Sequence, residues 1–293
     1  MKKYRIGIVG TENSHAHAFA KMFNLPDKNG ALAFPDCRVT LVYGSYPEES
    51  KKLVEECGAE AVADSIGQMV KSVDAVMITA RDGKYHYGFA KPFIEAGIPA
   101  FVDKTFTVSE DEAAELTALA AERHVPLSGG SSLKFAEAVL ALRDKAAELD
   151  GSIKSGFIAA PLNMHNDYGG FFFYSSHLAE ICLTVFGGDP KSVVAVRNND
   201  SVCAIVNYDR FSVTANFSNS CNAYSGSIFS ENAYYHRDID LSSCAFSEAA
   251  AFVNMLRTGE MPHTYEQLAA PVFFLNAVKE AYETGKEVQI RRK

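Results

Sequence analysis

Arg5-Ile-Gly-Ile-Val-Gly10-Thr-Glu-Asn-Ser14 reads as a short buried strand that passes through a glycine turn into a helix. The helix follows from Ala16, Phe19, Ala20 and Phe23, which have the i, i+3, i+4, i+7 spacing of one buried face. Asn13 or Ser14 supplies its N-cap. A strand that turns at glycine into a helix N-terminus is the unit that binds phosphates, because backbone N–H groups face the anion there.

Outward from this unit, short apolar runs at residues 39–43, 73–79, 99–102 and 125–128 alternate with helical patterns. That alternation predicts a parallel sheet covered on both faces by crossover helices. The second crossover helix, near 48–57, stops at Gly58, and the one near 84–96 stops at Gly97 with Pro99 close behind. Ser109-Glu-Asp-Glu112 has capping-box spacing ahead of a further helix.

From Gly129 the rhythm changes to a helix near 133–148 and strands at 152–160, 192–197, 202–207 and 211–217, spaced as in an antiparallel sheet. Helices near 175–186, 247–257 and 265–283 and a last strand at 287–290 complete the pattern. The fold class expected is α/β: a Rossmann-like, doubly wound parallel sheet over residues 1–128, then an α+β domain with an open, mostly antiparallel sheet over 129–293. A chain of 293 residues exceeds the size of most single cores, so two domains fit its length.

The bulk numbers exclude several functions. Lys and Arg total 28 against 36 Asp and Glu, a formal net charge of -8, and no basic run is present to hold nucleic acid or an anionic membrane. No stretch approaches bilayer-spanning length, and the apolar run after Met1-Lys-Lys is too short for an export signal. Six cysteines without a CxxC pair or regular framework point to reduced thiols and a cytoplasmic protein.

The phosphate turn is irregular. Aligned on Gly10, the second and third glycine positions of GxGxxG fall on Glu12 and His15, and a carboxylate at Glu12 repels a pyrophosphate unless it points away. The alternative is a strand, turn and helix that serve only as a sheet edge. At the end of the second strand, where an acid would bind the adenosine ribose, the chain has Gly44-Ser45, and no arginine stands there for a 2′-phosphate. NAD and NADP both remain open.

Lys104, in Pro99-Ala-Phe-Val-Asp-Lys-Thr105, follows a short apolar strand, where open α/β sheets place their chemistry. Alone, such a lysine is more often a solvated charge. Ile6-Gly-Ile-Val-Gly10, the stretch from Asp74-Ala-Val-Met-Ile-Thr79 through His86 and Glu95-Ala-Gly97 to Lys104, and Gly169-Gly170 through His177 to Gly187 occur in an order that spans nearly the whole chain. In order and spacing they resemble the Gfo/Idh/MocA oxidoreductases, the family of glucose-fructose oxidoreductase and inositol dehydrogenase.

The resemblance implies catalytic roles for Lys104 and His177. It implies a cofactor site of Gly10, Thr11, Asn13, Ser14, Gly44, Ser45, Thr79, His86 and Asp103. Glu180 stands for an acid often found three residues after the histidine. Asp103 and Thr105 replace the glutamate and proline of the family's Glu-Lys-Pro motif, and Phe173 replaces an aspartate four residues before the histidine. A divergent branch of the family has similar Thr-Ser-His turns and Asp-Lys-Pro motifs.

The chemistry suits these residue types without the family name. Hydride transfer from a carbinol carbon leaves a developing carbonyl and a hydroxyl proton to be placed. An imidazole accepts the proton and an ammonium stabilises the oxygen. His177 and Glu180 share one helix face, and Tyr174 lies one turn earlier. His165 and Asp167 are candidates for the substrate side; Lys134 and Arg237 are more distant ones. His86 lies among Phe89, Ala90 and Phe93 and fits a packed role equally, and no tight ligand spacing marks a metal site.

The expected function is NAD(P)-dependent oxidation of a secondary alcohol on a sugar, polyol or inositol-like substrate held between the domains, or the reverse reduction, in a homo-oligomer. The alternatives are a catalytically silent sugar- or nucleotide-binding protein of the same fold and an NAD-dependent glycosidase that oxidises its substrate transiently.

Overall fold

The structure, a computed structural model, describes residues 2–149 and 151–291. The chain divides into two compact units. The first comprises Met1–Thr107, Asp111–Gly130 and Glu248–Leu268, and the second Val108–Glu110, Ser131–Ser247 and Ala269–Lys293.

The first unit holds a parallel sheet of β1 (Tyr4–Val9), β2 (Cys37–Tyr43), β3 (Ala61–Val62), β4 (Ala75–Ile78), β5 (Ala100–Asp103) and β6 (Leu127–Gly130), in the order β3-β2-β1-β4-β5-β6. The order reverses between β1 and β4, and the crevice outside the strand ends at such a reversal is where doubly wound sheets bind ligands. Helices α1 (Ser14–Asn24), α2 (Pro47–Cys57), α3 (Ile66–Val70), α4 (His86–Glu95) and α5 (Glu110–Arg123) connect the strands. The predicted stripe of α1 is buried at Ala16, Phe19, Ala20 and Phe23, and α2 ends on Gly58 in the left-handed conformation. β3, only two residues long, was beneath the reach of periodicity.

The second unit begins with a 3-10 turn at Ser132–Phe135 and α6 (Glu137–Glu148). Its sheet contains β7 (Ile153–Leu162), β8 (Ser192–Asn198), β9 (Ser201–Asn207), β10 (Ser212–Asn219), β11 (Ser225–Ser230), β12 (Tyr234–Asp238) and β13 (Val288–Gln289), in the order β12-β11-β7-β10-β9-β8-β13. All of its pairings are antiparallel except β7 with β10. The long helix α7 (Phe171–Phe186) packs on this sheet. Two strands went unread: β11 is rich in serine, and the exposed edge strand β12 carries no apolar alternation.

The expected break after residue 128 lies close to the observed one after Gly130, but the expected assignment of everything beyond it to one domain does not match the observed units. Residues 248–268 belong to the first unit. Helix α8 (Cys244–Thr258) buries Ala249, Phe252, Val253 and Leu256 in the core of the parallel sheet. Phe252 meets Phe101 edge to face at 6.0 Å, Arg257 pairs with Asp36, and Tyr4 Oη donates to the Leu256 carbonyl at 2.6 Å. Its periodicity identifies a buried helix face but not the sheet it covers.

Candidate active site

At the end of β1 the chain turns at Gly10, with φ +95°. A Cβ there would fall 2.2 Å from the Ala80 nitrogen, so glycine alone lets the β1 turn lie against the end of β4. Thr79 fastens this junction: its N–H donates to the Val9 carbonyl at 2.7 Å and its hydroxyl to the Gly10 carbonyl at 2.9 Å. The buried Thr11 hydroxyl lies 2.8 Å from Ser50 Oγ, and Gly44 leaves room for it, since a Cβ at residue 44 would stand 2.3 Å from that oxygen.

Asn13 caps α1, its Oδ1 accepting from the His15 N–H at 3.2 Å. Among the described residues, no hydrogen bond takes up the backbone N–H groups of Thr11, Glu12, Asn13 or Ser14. The Glu12 carboxylate is engaged at the end of β4: Oε1 accepts from the Arg81 N–H at 2.9 Å, and the Arg81 guanidinium donates to the Glu12 carbonyl at 2.6 Å. The carboxylate is thereby turned onto a backbone N–H at the end of β4, while the guanidinium holds the turn's own carbonyl.

Asp103 is the hub that joins this turn to β5. It is 1% exposed, and its carboxylate accepts from His15 Nδ1 at 2.7 Å, Asn13 Nδ2 at 3.3 Å and the Lys104 N–H at 2.7 Å. Burial works to raise its pKa, but His15, with Lys104 and His86, outweighs burial and holds it below the ordinary value. Lys104 is buried too, and burial lowers its pKa against the opposing pull of Asp103. The Lys104–Thr105 peptide is cis.

Thr11, Thr79, His86 and Asp103, expected at the cofactor, have enclosed side chains bonded to protein. His86 is fully buried with Nε2 2.7 Å from the Ala80 carbonyl, a prop for the end of β4. Ser14 and Ser45 are exposed.

In the second unit His177 lies on α7 with Nδ1 2.7 Å from the Ser131 hydroxyl oxygen. Ser131 is fully buried, and its N–H donates to Glu180 Oε1 at 3.0 Å. Lys134 Nζ donates to both Glu180 oxygens at 3.3 and 3.2 Å. Glu180, expected at the substrate, is buried, with its carboxylate paired to Lys134 and bonded to the Ser131 N–H; burial raises its pKa and Lys134 opposes the rise.

Tyr174 is half-buried, its ring 6.4 Å from that of His177. His165 sits in the loop after β7 with Nε2 2.9 Å from Asp200 Oδ1, and Asp167 is exposed in the same loop. Asn166 organises that loop, donating to the Asn163 and Gly170 carbonyls and accepting from the Tyr168 and Gly170 N–H groups. Among the described residues no three His, Cys, Asp or Glu side chains form a metal-holding group, and no helix is long and apolar enough to cross a membrane.

Sequence reasoning passed over Ser131 and Arg81. Ser131 follows a Gly-Gly pair at a strand end, a capping signal, and Arg81 stands two residues beyond Thr79 at the switch point. Neither signal says which side chain it will meet.

Residues 4–131 match the family model GFO_IDH_MocA, described as an oxidoreductase family with an NAD-binding Rossmann fold. Over this segment, less than half of its length, the chain is similar to the Gfo/Idh/MocA family. Solved structures with the same fold extend the likeness to both units. Scyllo-inositol dehydrogenase from Lactobacillus casei, solved with NAD(H) and scyllo-inositol, is 17% identical with a TM-score of 0.84, over 99% of each chain. Myo-inositol 2-dehydrogenase from Lactobacillus plantarum is 15% identical with a TM-score of 0.83, over 99% of this chain and 100% of its own. UDP-N-acetylglucosamine 3-dehydrogenase from Acidithiobacillus ferrooxidans is 18% identical with a TM-score of 0.78, over 97% and 99%. No curated protein matches the sequence.

The residues present fit the dinucleotide of this NAD-binding family. Four backbone N–H groups without an acceptor among the described residues, gathered at the N-terminus of α1 beside the β1/β4 reversal, suit a pyrophosphate. They compensate for the missing glycines, because the turn's close approach is carried by Gly10 and by the engagement of Glu12 with Arg81.

Proposed function

We propose that the protein is an NAD(P)-dependent oxidoreductase that interconverts a secondary alcohol and its ketone on a sugar, polyol or inositol-like substrate. The observation that carries this is the phosphate-ready turn at the β1/β4 reversal with Lys104 buried at the end of β5 in the same unit. The nicotinamide, when bound, supplies the hydride acceptor or donor. Gly10, Thr11, Asn13 and Ser14 meet the pyrophosphate through their backbone, and Gly44 and Ser45 lie on the side of the adenosine ribose.

Lys104 places a cationic head where negative charge grows on the substrate oxygen. His177 exchanges the hydroxyl proton at Nε2, since Nδ1 is held by Ser131. Tyr174, His165 and Asp167 are assigned to the substrate hydroxyls. The apolar face that the second sheet leaves exposed at Val196 and Ile205 supports a homo-oligomer, checked by light scattering.

A fluorescence titration with NADH and NADPH, then a panel of polyols, inositols and sugars, tests the function. Lys104→Met should bind cofactor with little change and lose on the order of 100-fold or more in kcat. Full turnover in that variant removes Lys104 from the chemistry, and no binding of either cofactor at millimolar concentration removes the enzyme.

A further inference from the structure

We infer that His15, at the third glycine position of the phosphate turn, binds the dinucleotide's pyrophosphate as an imidazolium held by Asp103, so that cofactor binding takes up one proton. The inference rests on the cofactor reading of this turn given above. His15 lies in the first turn of α1, next to Ser14, whose N–H is one of the four open donors. Its side chain is 33% exposed, while the carboxylate it meets at 2.7 Å is enclosed.

The partner fixes the hydrogen positions. Burial works to raise the Asp103 pKa, but His15 with Lys104 and His86 turns the shift downward, so Asp103 is a carboxylate and only accepts. A neutral His15 therefore carries its hydrogen on Nδ1, facing Asp103, and a lone pair on Nε2. Nε2 has no hydrogen-bond partner among the described residues and is open to solvent. A lone pair there repels a phosphate oxygen. One proton from solvent, added at Nε2, makes a charged donor while Nδ1–H stays on Asp103, and no other hydrogen moves.

The charges around the turn favour that proton once a pyrophosphate arrives. By formal charge, Glu12 and Asp103 bring two negative groups, and Arg81 and Lys104 two positive ones. The buried His86 has Nε2 on the Ala80 carbonyl, and Phe19, edge-on to His15 at 6.3 Å, adds no charge. The four charges cancel, so the two negative charges of a pyrophosphate meet no net countercharge from these side chains. Imidazole is the side chain that gains a charge near neutral pH. The positive end of α1 opposes a cation at His15 in the free protein, and a bound pyrophosphate reverses that opposition.

Two readouts test this without turnover. Calorimetry of NADH binding at about pH 7.5, in two buffers of different ionisation enthalpy, should show proton uptake by the wild type and none by His15→Gln. A fluorescence titration from about pH 6 to about pH 9 should show wild-type affinity falling as pH rises, by at most about tenfold per unit for one proton. His15→Gln should bind NADH about tenfold more weakly than the wild type at the acid end and with level affinity across the range. ADP-ribose, which keeps the pyrophosphate and lacks the nicotinamide, should also take up the proton.

NADH binding without proton uptake overturns the inference and leaves the cofactor site standing. So does uptake that persists in His15→Gln, which would belong to another group, Lys104 first. Uptake with NADH but not with ADP-ribose moves the contact to the nicotinamide end and overturns it as well. No binding of NADH or ADP-ribose at any pH removes the cofactor reading and the inference together. Should His15→Gln not fold, proton NMR of the wild type decides: the ring assigned to His15 through its contact with Phe19 should move to the imidazolium position on adding NADH, and a ring that stays neutral overturns the inference.

Discussion

Asp103 accepts three hydrogen bonds at the end of β5 while almost fully buried, and the charges around it keep its carboxyl below the ordinary 3.8. A carboxyl lowered in the folded state contributes stability that is complete above its unfolded value and disappears as pH falls through its folded value. The stability gap between wild type and Asp103→Asn should therefore narrow on acidification from neutrality, as followed by urea denaturation. A gap that stays constant down through the acid range would mean that the carboxylate's charge is not what holds the turn. Lys104 and His177 were visible in the sequence as residue types at meaningful spacings. Their partners were not, because His15 with Asp103 and Ser131 with His177 are long-range contacts that depend on which strand ends and helices meet. Glu180 shows the limit most clearly: spacing puts it on the face of α7 with His177, but only packing shows its carboxylate spent on Lys134 and Ser131.

At the scale of elements, the helices and the interior strands were legible because their burial repeats with the period of the element, as in α1 and β1. Two edge strands were not: β3 is too short, and β12 lies at the margin of its sheet with little buried. Helix α8 was found as a helix and given to the wrong core. Its Phe252 is fully buried and completes an aromatic series with Phe101 and Phe19, whose rings lie 5.3 Å apart. Phe252→Ala should cost about 3–5 kcal/mol, read by thermal or denaturant unfolding. It should weaken NADH binding only through loss of folded protein; a variant of unchanged stability would separate α8 from the parallel-sheet core.

For the whole molecule, the turn at α1 provides a measurable link between ligand and stability. A ligand that binds only the folded chain stabilises it by about 2.7 kcal/mol at a hundredfold excess over Kd. NADH or NADPH should raise Tm with the logarithm of its concentration, and Gly10→Ala, whose methyl group would strike the Ala80 backbone, should abolish the increase. A Gly10→Ala protein that still shifts with cofactor would place the dinucleotide elsewhere.

The return of residues 248–268 to the first unit also sets a timetable for synthesis. The strands through Gly130 leave the ribosome with the pocket for Phe252 unfilled, and the whole second unit up to Ser247 is made before the missing helix arrives. At about 5–20 residues per second, that interval lasts on the order of ten seconds. During it the nascent parallel sheet displays the apolar surface around Phe101, and a chaperone that recognises exposed aromatic side chains has its binding window there, closing when Phe252 docks.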